Sequence, residues 1–92
     1  MPKPEISEFS QERLNSAKQE IQKGNIDGAL EIYNEFIHAE LVLDQVINDL
    51  HEIVNTQYPI EVSLWQALGD AQLRNNQLQE ALDSYSKAEE LL

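Results

Sequence analysis

The hydrophobic positions of this chain recur every three or four residues, which is the spacing of a helix with one buried face. A first helix is predicted from Ser7 or Ser10, either of which can cap its start, to Gly24, which suits its end. A second helix is predicted over about residues 26–38, where the apolar positions form one stripe. Together these elements predict a helical hairpin over residues 10–38.

The boundary of the next element is harder to place, because residues 39–55 contain no glycine or proline. The second helix could in principle continue through them, but a rod of roughly thirty residues would far exceed the mean helix length of about 11 to 12. We expect a break near residues 39–41, where the apolar face shifts. The new stripe consists of Leu43, Val46, Ile47, Leu50, Ile53 and Val54. Its spacing of three and four favours a helix over a strand, which predicts a single helix over residues 41–57, closed by Pro59.

The most strongly patterned part of the chain is its last third, which predicts a second hairpin over residues 61–91. One helix is expected from about residue 61 to residue 74 and another from about residue 78 to residue 91, joined by the polar turn Asn75-Asn76-Gln77. Small residues at helical spacing indicate where two helices approach closely, and large aromatic rings indicate the wider gaps. The small residues are Gly69, Ala81 and Ala88, and the rings are Trp65 and Tyr85.

The two predicted hairpins resemble each other, since residues 24–33 can be laid over residues 76–85 with Tyr33 on Tyr85. A repeat of this kind is a strong sign of a helical array. The last hairpin also resembles the tetratricopeptide repeat, a helix-turn-helix unit of about 34 residues. The residues that carry the resemblance are Trp65, Leu68, Gly69, Ala81, Tyr85 and Ala88. The resemblance implies an all-α, five-helix array of the superhelical type, with two hairpin repeats and an intervening half-repeat helix over residues 41–57. Gln72 stands where the family usually carries an aromatic residue.

The resemblance also implies a function, because tetratricopeptide repeats are usually non-enzymatic scaffolds that bind a partner peptide or helix. Their groove is lined by the first helix of each unit. Carried over to this chain, the groove would consist of Gln11, Leu14, Lys18, Ile21, Val62, Gln66, Asp70 and Leu73. Groove binding predicts that Leu14, Ile21 and Leu73 are exposed. The alternative is a structural or self-association domain that forms a homodimer through the C-terminal hairpin, which ends in Leu91 and Leu92.

The charge balance restricts the possible partners. Seventeen acidic and six basic residues give a net charge of -11, which argues against binding to nucleic acid or to an anionic membrane. From Gly24 to Leu73 there is no lysine or arginine. If the chain has a charged partner, we therefore expect a basic segment.

Composition also bounds the domain and its compartment. Residues 1–7 contain two prolines and no helical spacing, so they are predicted to form a flexible leader or linker before a single domain of residues 8–92. The chain has no cysteine, and none of its apolar runs is long enough for a membrane span or a secretory signal. We therefore expect a cytoplasmic protein.

Motifs for catalysis and metal binding are incomplete. His51-Glu52 would begin a zinc-binding H-E-x-x-H motif, but its last position is Asn55. Asp44, Asp49 and Glu52 could gather on one side of a helix as a cation site, although a solvated charged face is the expected arrangement. The sequence thus predicts no enzyme, no metal and no cofactor.

Overall fold

The computed structural model describes residues 8–56 and 61–92, and these residues form helices and no strand. The helices are α1 (Glu8–Gln22), α2 (Ile26–Ala39), α3 (Leu43–Thr56), α4 (Val62–Arg74) and α5 (Leu78–Glu90). The all-α class and the five predicted helices are confirmed in this part of the chain. The predicted leader, the possible cap at Ser7, residue 57 of the third helix and its closure at Pro59 lie outside the described residues.

The bends of the two hairpins lie where the polar turns predict them. Gly24 ends α1 with a φ of +86°, and Asn76 stands between α4 and α5 with a φ of +66°. Glycine and asparagine are the residues that most readily adopt this left-handed backbone, which stops a helix and lets the chain reverse. After the first bend, the Asn25 side chain accepts a hydrogen bond of 3.2 Å from the Gly28 amide and so caps α2.

The break between α2 and α3 also lies where the shift of the apolar face predicts it, yet it uses no glycine. Glu40 ends α2 with a φ of +56°, and Val42 follows with a φ of +42°. The Leu41 amide donates to the Phe36 carbonyl at 3.0 Å, which closes the end of the helix. A β-branched residue such as Val42 rarely adopts positive φ. Its side chain packs against the core, so tertiary contacts hold this backbone in place.

One hydrophobic core joins the first four helices. α1 packs along α2, α2 contacts α3 and α4, α3 packs along α4, and α4 packs along α5. The centre of the core is fully buried and includes Tyr33, Leu50 and Leu68. Trp65 packs against this cluster at its edge. The expectation that the Trp65 ring packs between helices is therefore confirmed, and Tyr33, which the repeat aligns with Tyr85, is buried as well.

The last helix is attached differently, because α5 contributes no side chain to that cluster. Its buried residues are the small side chains Ala81, Ser84 and Ala88. On the facing helix, a Cβ atom added to Gly69 would lie 2.7 Å from Cε1 of Tyr85. The Tyr85 ring therefore occupies the space that a side chain at residue 69 would need, and a glycine is required there by close approach.

We expect Gly69→Ala to lower the free energy of unfolding by about 1–3 kcal/mol, because the new methyl group overlaps the Tyr85 ring. This loss opposes the helix propensity of alanine, which alone favours it over glycine by about 1 kcal/mol. In a Tyr85→Ala background the overlap is absent, so the same substitution should become stabilising. Chemical denaturation followed by circular dichroism measures both effects. An equal destabilisation in the two backgrounds would show that the ring is not what excludes the methyl group.

Candidate functional site

The part of the predicted partner groove on α1 is mostly inside the fold. Leu14 is 1% exposed and belongs to the hydrophobic core, so the expectation of an exposed Leu14 is wrong. Leu14 and Ala17 are the buried residues of α1, and they lie on the face that packs toward the other helices. Ile21 is partly buried against the same core. Gln11 is exposed, and its side chain donates to Asn15 of its own helix at 3.1 Å.

Lys18 on α1 is held by a buried carboxylate on α3. Its Nζ lies 3.5 Å from Oδ1 of Asp49, which also accepts from Gln45 Nε2 at 3.1 Å. The hydroxyl of Tyr33 on α2 donates to Asp49 Oδ2 at 3.4 Å, and burial together with this carboxylate raises the pKa of Tyr33. Asp49 is 2% exposed, so the expected solvated face shared with Asp44 is a wrong interpretation. Asp49 instead joins three helices.

A groove of about 290 Å³ lies between α1 and α3 beside this ion pair. Its lining includes Lys18 and Ile21 on one side and Glu52, Ile53 and Thr56 on the other. Lys18 and Ile21 of α1 therefore face α3 across this groove, and neither α3 nor α4 is among the helices that α1 packs along. The eight residues predicted to form one groove thus fall into two separate groups, one on each helix. That either group binds a partner remains a prediction.

The predicted groove residues on α4 lie at the surface, and one of them contacts α5. Gln66 and Asp70 are exposed, Val62 is half-buried, and Leu73 is 50% exposed. Asp70 accepts a hydrogen bond from the hydroxyl of Tyr85, which ties this face of α4 to α5.

Two further leucines extend this surface. Because Tyr85 packs on Gly69, the periodicity of the two antiparallel helices predicts that Leu82 lies beside Leu73, one turn nearer the bend. Leu78 lies four residues from Leu82 on the same face of α5. Leu78 is 55% and Leu82 is 61% exposed. We call Leu73, Leu78 and Leu82 the hairpin patch. Sequence reasoning missed the two residues of α5, although their spacing opposite the small residues of that helix was a usable signal.

A second groove, of about 230 Å³, lies between α3, α4 and α5. Its floor is polar and buried: Gln72 is 1% and Ser84 is 3% exposed. Ser84 Oγ donates to Gln72 Oε1 at 2.6 Å, and Gln72 Nε2 lies 3.3 Å from His51 Nε2, which can accept when the ring proton is on Nδ1. Trp65 forms part of the wall. We call this the Trp65 groove.

This groove explains two features of the sequence. Gln72, at the position where the tetratricopeptide resemblance implies an aromatic residue, is the hydrogen-bonding centre of the groove floor, and His51 contacts it. Ser84 falls between Ala81 and Ala88 at the spacing of the buried face of α5, which could have identified it as buried. Glu80, Asp83 and Lys87 on the rim carried no such signal.

Neither a metal centre nor a membrane span emerges from the described residues. Within residues 8–56 and 61–92, no three His, Cys, Asp or Glu side chains are grouped to hold a metal ion. None of the helices there has the length and apolarity that crossing a bilayer requires. Comparison with protein-family models gave no match, and neither curated proteins nor solved structures gave a significant match. The tetratricopeptide resemblance therefore stays a prediction that rests on its own residues.

We expect Ser84→Ala to lower the free energy of unfolding by about 1–3 kcal/mol, because Gln72 Oε1 is left buried without its donor. The double variant Gln72→Met with Ser84→Ala removes both polar groups and should be more stable than Ser84→Ala alone. Ser86→Ala, on an exposed position of the same helix, is the matched control and should change stability by less than about 0.5 kcal/mol. A Ser84→Ala variant as stable as the control would contradict the buried hydrogen bond.

A pH dependence follows from the contact between Tyr85 and Asp70. Burial, and then the hydrogen bond to Asp70 and its charge, raise the pKa of Tyr85 from 10.0 to about 12, against the opposing charge of Arg74. The folded chain therefore holds this proton more tightly than the unfolded chain. Its contribution to stability is complete below pH 10 and is lost as the pH rises from 10 through about 12.

We expect Tyr85→Phe to lose less stability than the wild type over this pH window, because it has no proton to release. All other groups are the same in both proteins, so the difference between the two curves isolates Tyr85. Unfolding free energies measured by denaturation at several alkaline pH values provide the curves. Parallel curves would mean that the Tyr85 proton is not held by the fold.

Proposed function

We propose that this chain is a non-enzymatic protein-interaction module that binds a helix of a partner along the exposed face of the α4–α5 hairpin. The observation that carries the proposal is the hairpin patch, in which three leucines, each at least half-exposed, lie on two packed helices whose register brings Leu82 beside Leu73. Single exposed leucines are common on protein surfaces, whereas contiguous ones mark interaction sites. Gln66 and Asp70, from the predicted partner-binding set, lie exposed on the same helix. Leu14 has no part in this site.

The shape of the patch favours a helix as the occupant. Leu78 and Leu82 stand one turn apart on α5, and Leu73 stands beside them on α4. An apolar stripe on two adjacent helices matches the one-sided apolar face of a third helix. Burying such side chains contributes about 25 cal/mol for each Å² of apolar surface removed from water.

Charge favours a basic helix. Asp70 lies beside the patch, and Glu89 follows Leu82 by two turns on the same face of α5. Arg74, the basic residue at the end of α4, is within 3.5 Å of Glu40 and is thereby drawn toward α2. With a net charge of -11, the chain attracts a positively charged partner from a distance. The patch would then contact its apolar face.

The second candidate is self-association, in which a second copy covers the same hairpin. It is favoured by Leu91 and Leu92, which are 49% and 87% exposed at the end of the hairpin. A two-fold dimer would place identical patches against each other. The net charge of -11 on each copy opposes this arrangement, so we rank it below a basic partner.

The proposal extends to the type of domain and to the cellular compartment. We infer that residues 8–92 act as one interaction domain of tetratricopeptide-like hairpins, supported by the bends at Gly24 and Asn76 and the close approach at Gly69. We place the chain in the cytoplasm because it has no cysteine to stabilise it in an oxidising compartment.

A synthetic amphipathic helix with leucines on one face and lysines on the other tests the site. We expect it to bind at low salt, to bind more weakly at high salt, and to lose at least about tenfold in affinity on Leu82→Glu. The substitution adds negative charge, which by itself would strengthen attraction to lysines. A loss therefore reports the apolar contact. Leu41→Glu, at a leucine 52% exposed outside the patch, is the matched control and should keep its affinity.

Equal effects of the two substitutions, with helicity unchanged by circular dichroism, would contradict a site at the hairpin patch. Light scattering over a concentration series separates the two candidates. A mass that doubles with concentration, and returns to the monomer value in Leu82→Glu alone, would select self-association. A mass that stays constant would exclude it.

A further inference from the structure

The Trp65 groove is not used by the proposed function. Leu78 and Leu82 face one side of α5, whereas Glu80, Asp83 and Ser84 lie on the side that borders the groove. The hairpin patch and the groove are therefore on different faces of the same helix. A ligand in the groove would leave the patch accessible.

The wall and rim of the groove suit a cation. Trp65 packs against the core at one edge and lines the groove, and the face of an indole ring attracts positive charge. Glu80 and Asp83 are exposed on the rim, one turn apart. Asp83 Oδ1 accepts from Gln79 at 3.4 Å, which leaves its other oxygen for a ligand.

Lys87 also lies on the rim but forms no ion pair with these two acids in the described part of the chain. Within residues 8–56 and 61–92, no ion pair of 4.0 Å or less joins Lys87 to Glu80 or to Asp83. The rim thus carries two carboxylates and one ammonium group, with a net negative charge at neutral pH. The strongly acidic chain around it reinforces that sign.

The floor of the groove is fixed by a buried amide. Gln72 Oε1 takes one hydrogen bond from Ser84 and, as a carbonyl oxygen, has a second lone pair. Because Gln72 is 1% exposed, its amide is held in place by these contacts and does not rotate freely in solvent. A cationic group entering the groove would meet the Trp65 ring and a mostly apolar lining inside, with carboxylates at the rim.

The size of the groove further restricts the kinds of ligand that it can hold. Its volume of about 230 Å³ is below the roughly 300–1,000 Å³ of sites that hold a whole small molecule. A single long side chain fits such a volume better than a cofactor. Arginine combines a planar guanidinium that stacks on aromatic rings with five donors and weak hydration, whereas the lysine ammonium is compact and strongly hydrated.

We propose that the Trp65 groove receives an arginine side chain of a protein partner, with the guanidinium stacked on Trp65 and directed toward Glu80 and Asp83. The site is independent of the hairpin patch. It gives the acidic chain a way to recognise one kind of basic residue rather than positive charge in general.

Trp65 is the only tryptophan of the chain, so its fluorescence reports on the groove directly. Three blocked peptides that differ at one position, carrying arginine, lysine or citrulline, are titrated into the protein. We expect a saturable fluorescence change with the arginine peptide, a several-fold weaker response with lysine, and none with citrulline, which keeps the shape but lacks the charge. No saturation with the arginine peptide up to about 10 mM would overturn the proposal. Equal responses to arginine and lysine would overturn the assignment to arginine.

Charge-matched variants locate the site. Glu80→Gln with Asp83→Asn should weaken binding of the arginine peptide by about fivefold, whereas Glu12→Gln with Glu31→Gln, two exposed glutamates on other helices, should not. Equal weakening by both pairs would mean attraction by net charge alone and would overturn the proposal. Leu82→Glu should leave the arginine response intact, so failure of the hairpin patch is distinguishable from failure of this site.

Discussion

The packing of α5 against α4 is the contact on which both proposed surfaces depend. α5 places no side chain in the core that the other four helices share. It is held by the approach of Tyr85 to Gly69, by the small residues Ala81 and Ala88, and by the hydrogen bond between Ser84 and Gln72. These contacts use the inner face of the helix. The two remaining faces are left for the hairpin patch and for the Trp65 groove.

This mode of attachment has a physical consequence. A helix that docks through small residues comes close to its neighbour but buries little apolar surface, so each contact contributes a large share of its docking free energy. Exposed leucines on such a helix add nothing to its docking free energy, because their apolar surface remains in water. A partner that covers the hairpin patch would bury this surface and also hold α5 on α4. Binding and local stability are linked in this way.

α3 fixes the relative positions of α1 and α2 in the other half of the molecule. Its buried Asp49 lies within hydrogen-bonding or ion-pairing distance of side chains on α1 and α2, namely Lys18 and Tyr33. A buried carboxylate is unfavourable without partners, so this arrangement requires the three helices in one relative position. The same contacts take Lys18 out of any site that α1 would otherwise share with α4.

Local signals in the sequence determined the helices and their bends, because helix periodicity, Gly24 and Asn76 act over a few residues. They also placed the break before α3, although Glu40 and Val42 adopt a backbone that neither residue favours by itself. What only the tertiary structure decided was which polar side chains are buried and which helix faces remain open. Asp49 is buried because Lys18, Tyr33 and Gln45 meet it there, and no spacing within one helix encodes a meeting of three helices. The two grooves and the hairpin patch arise in the same way, from the positions that whole helices take when they pack.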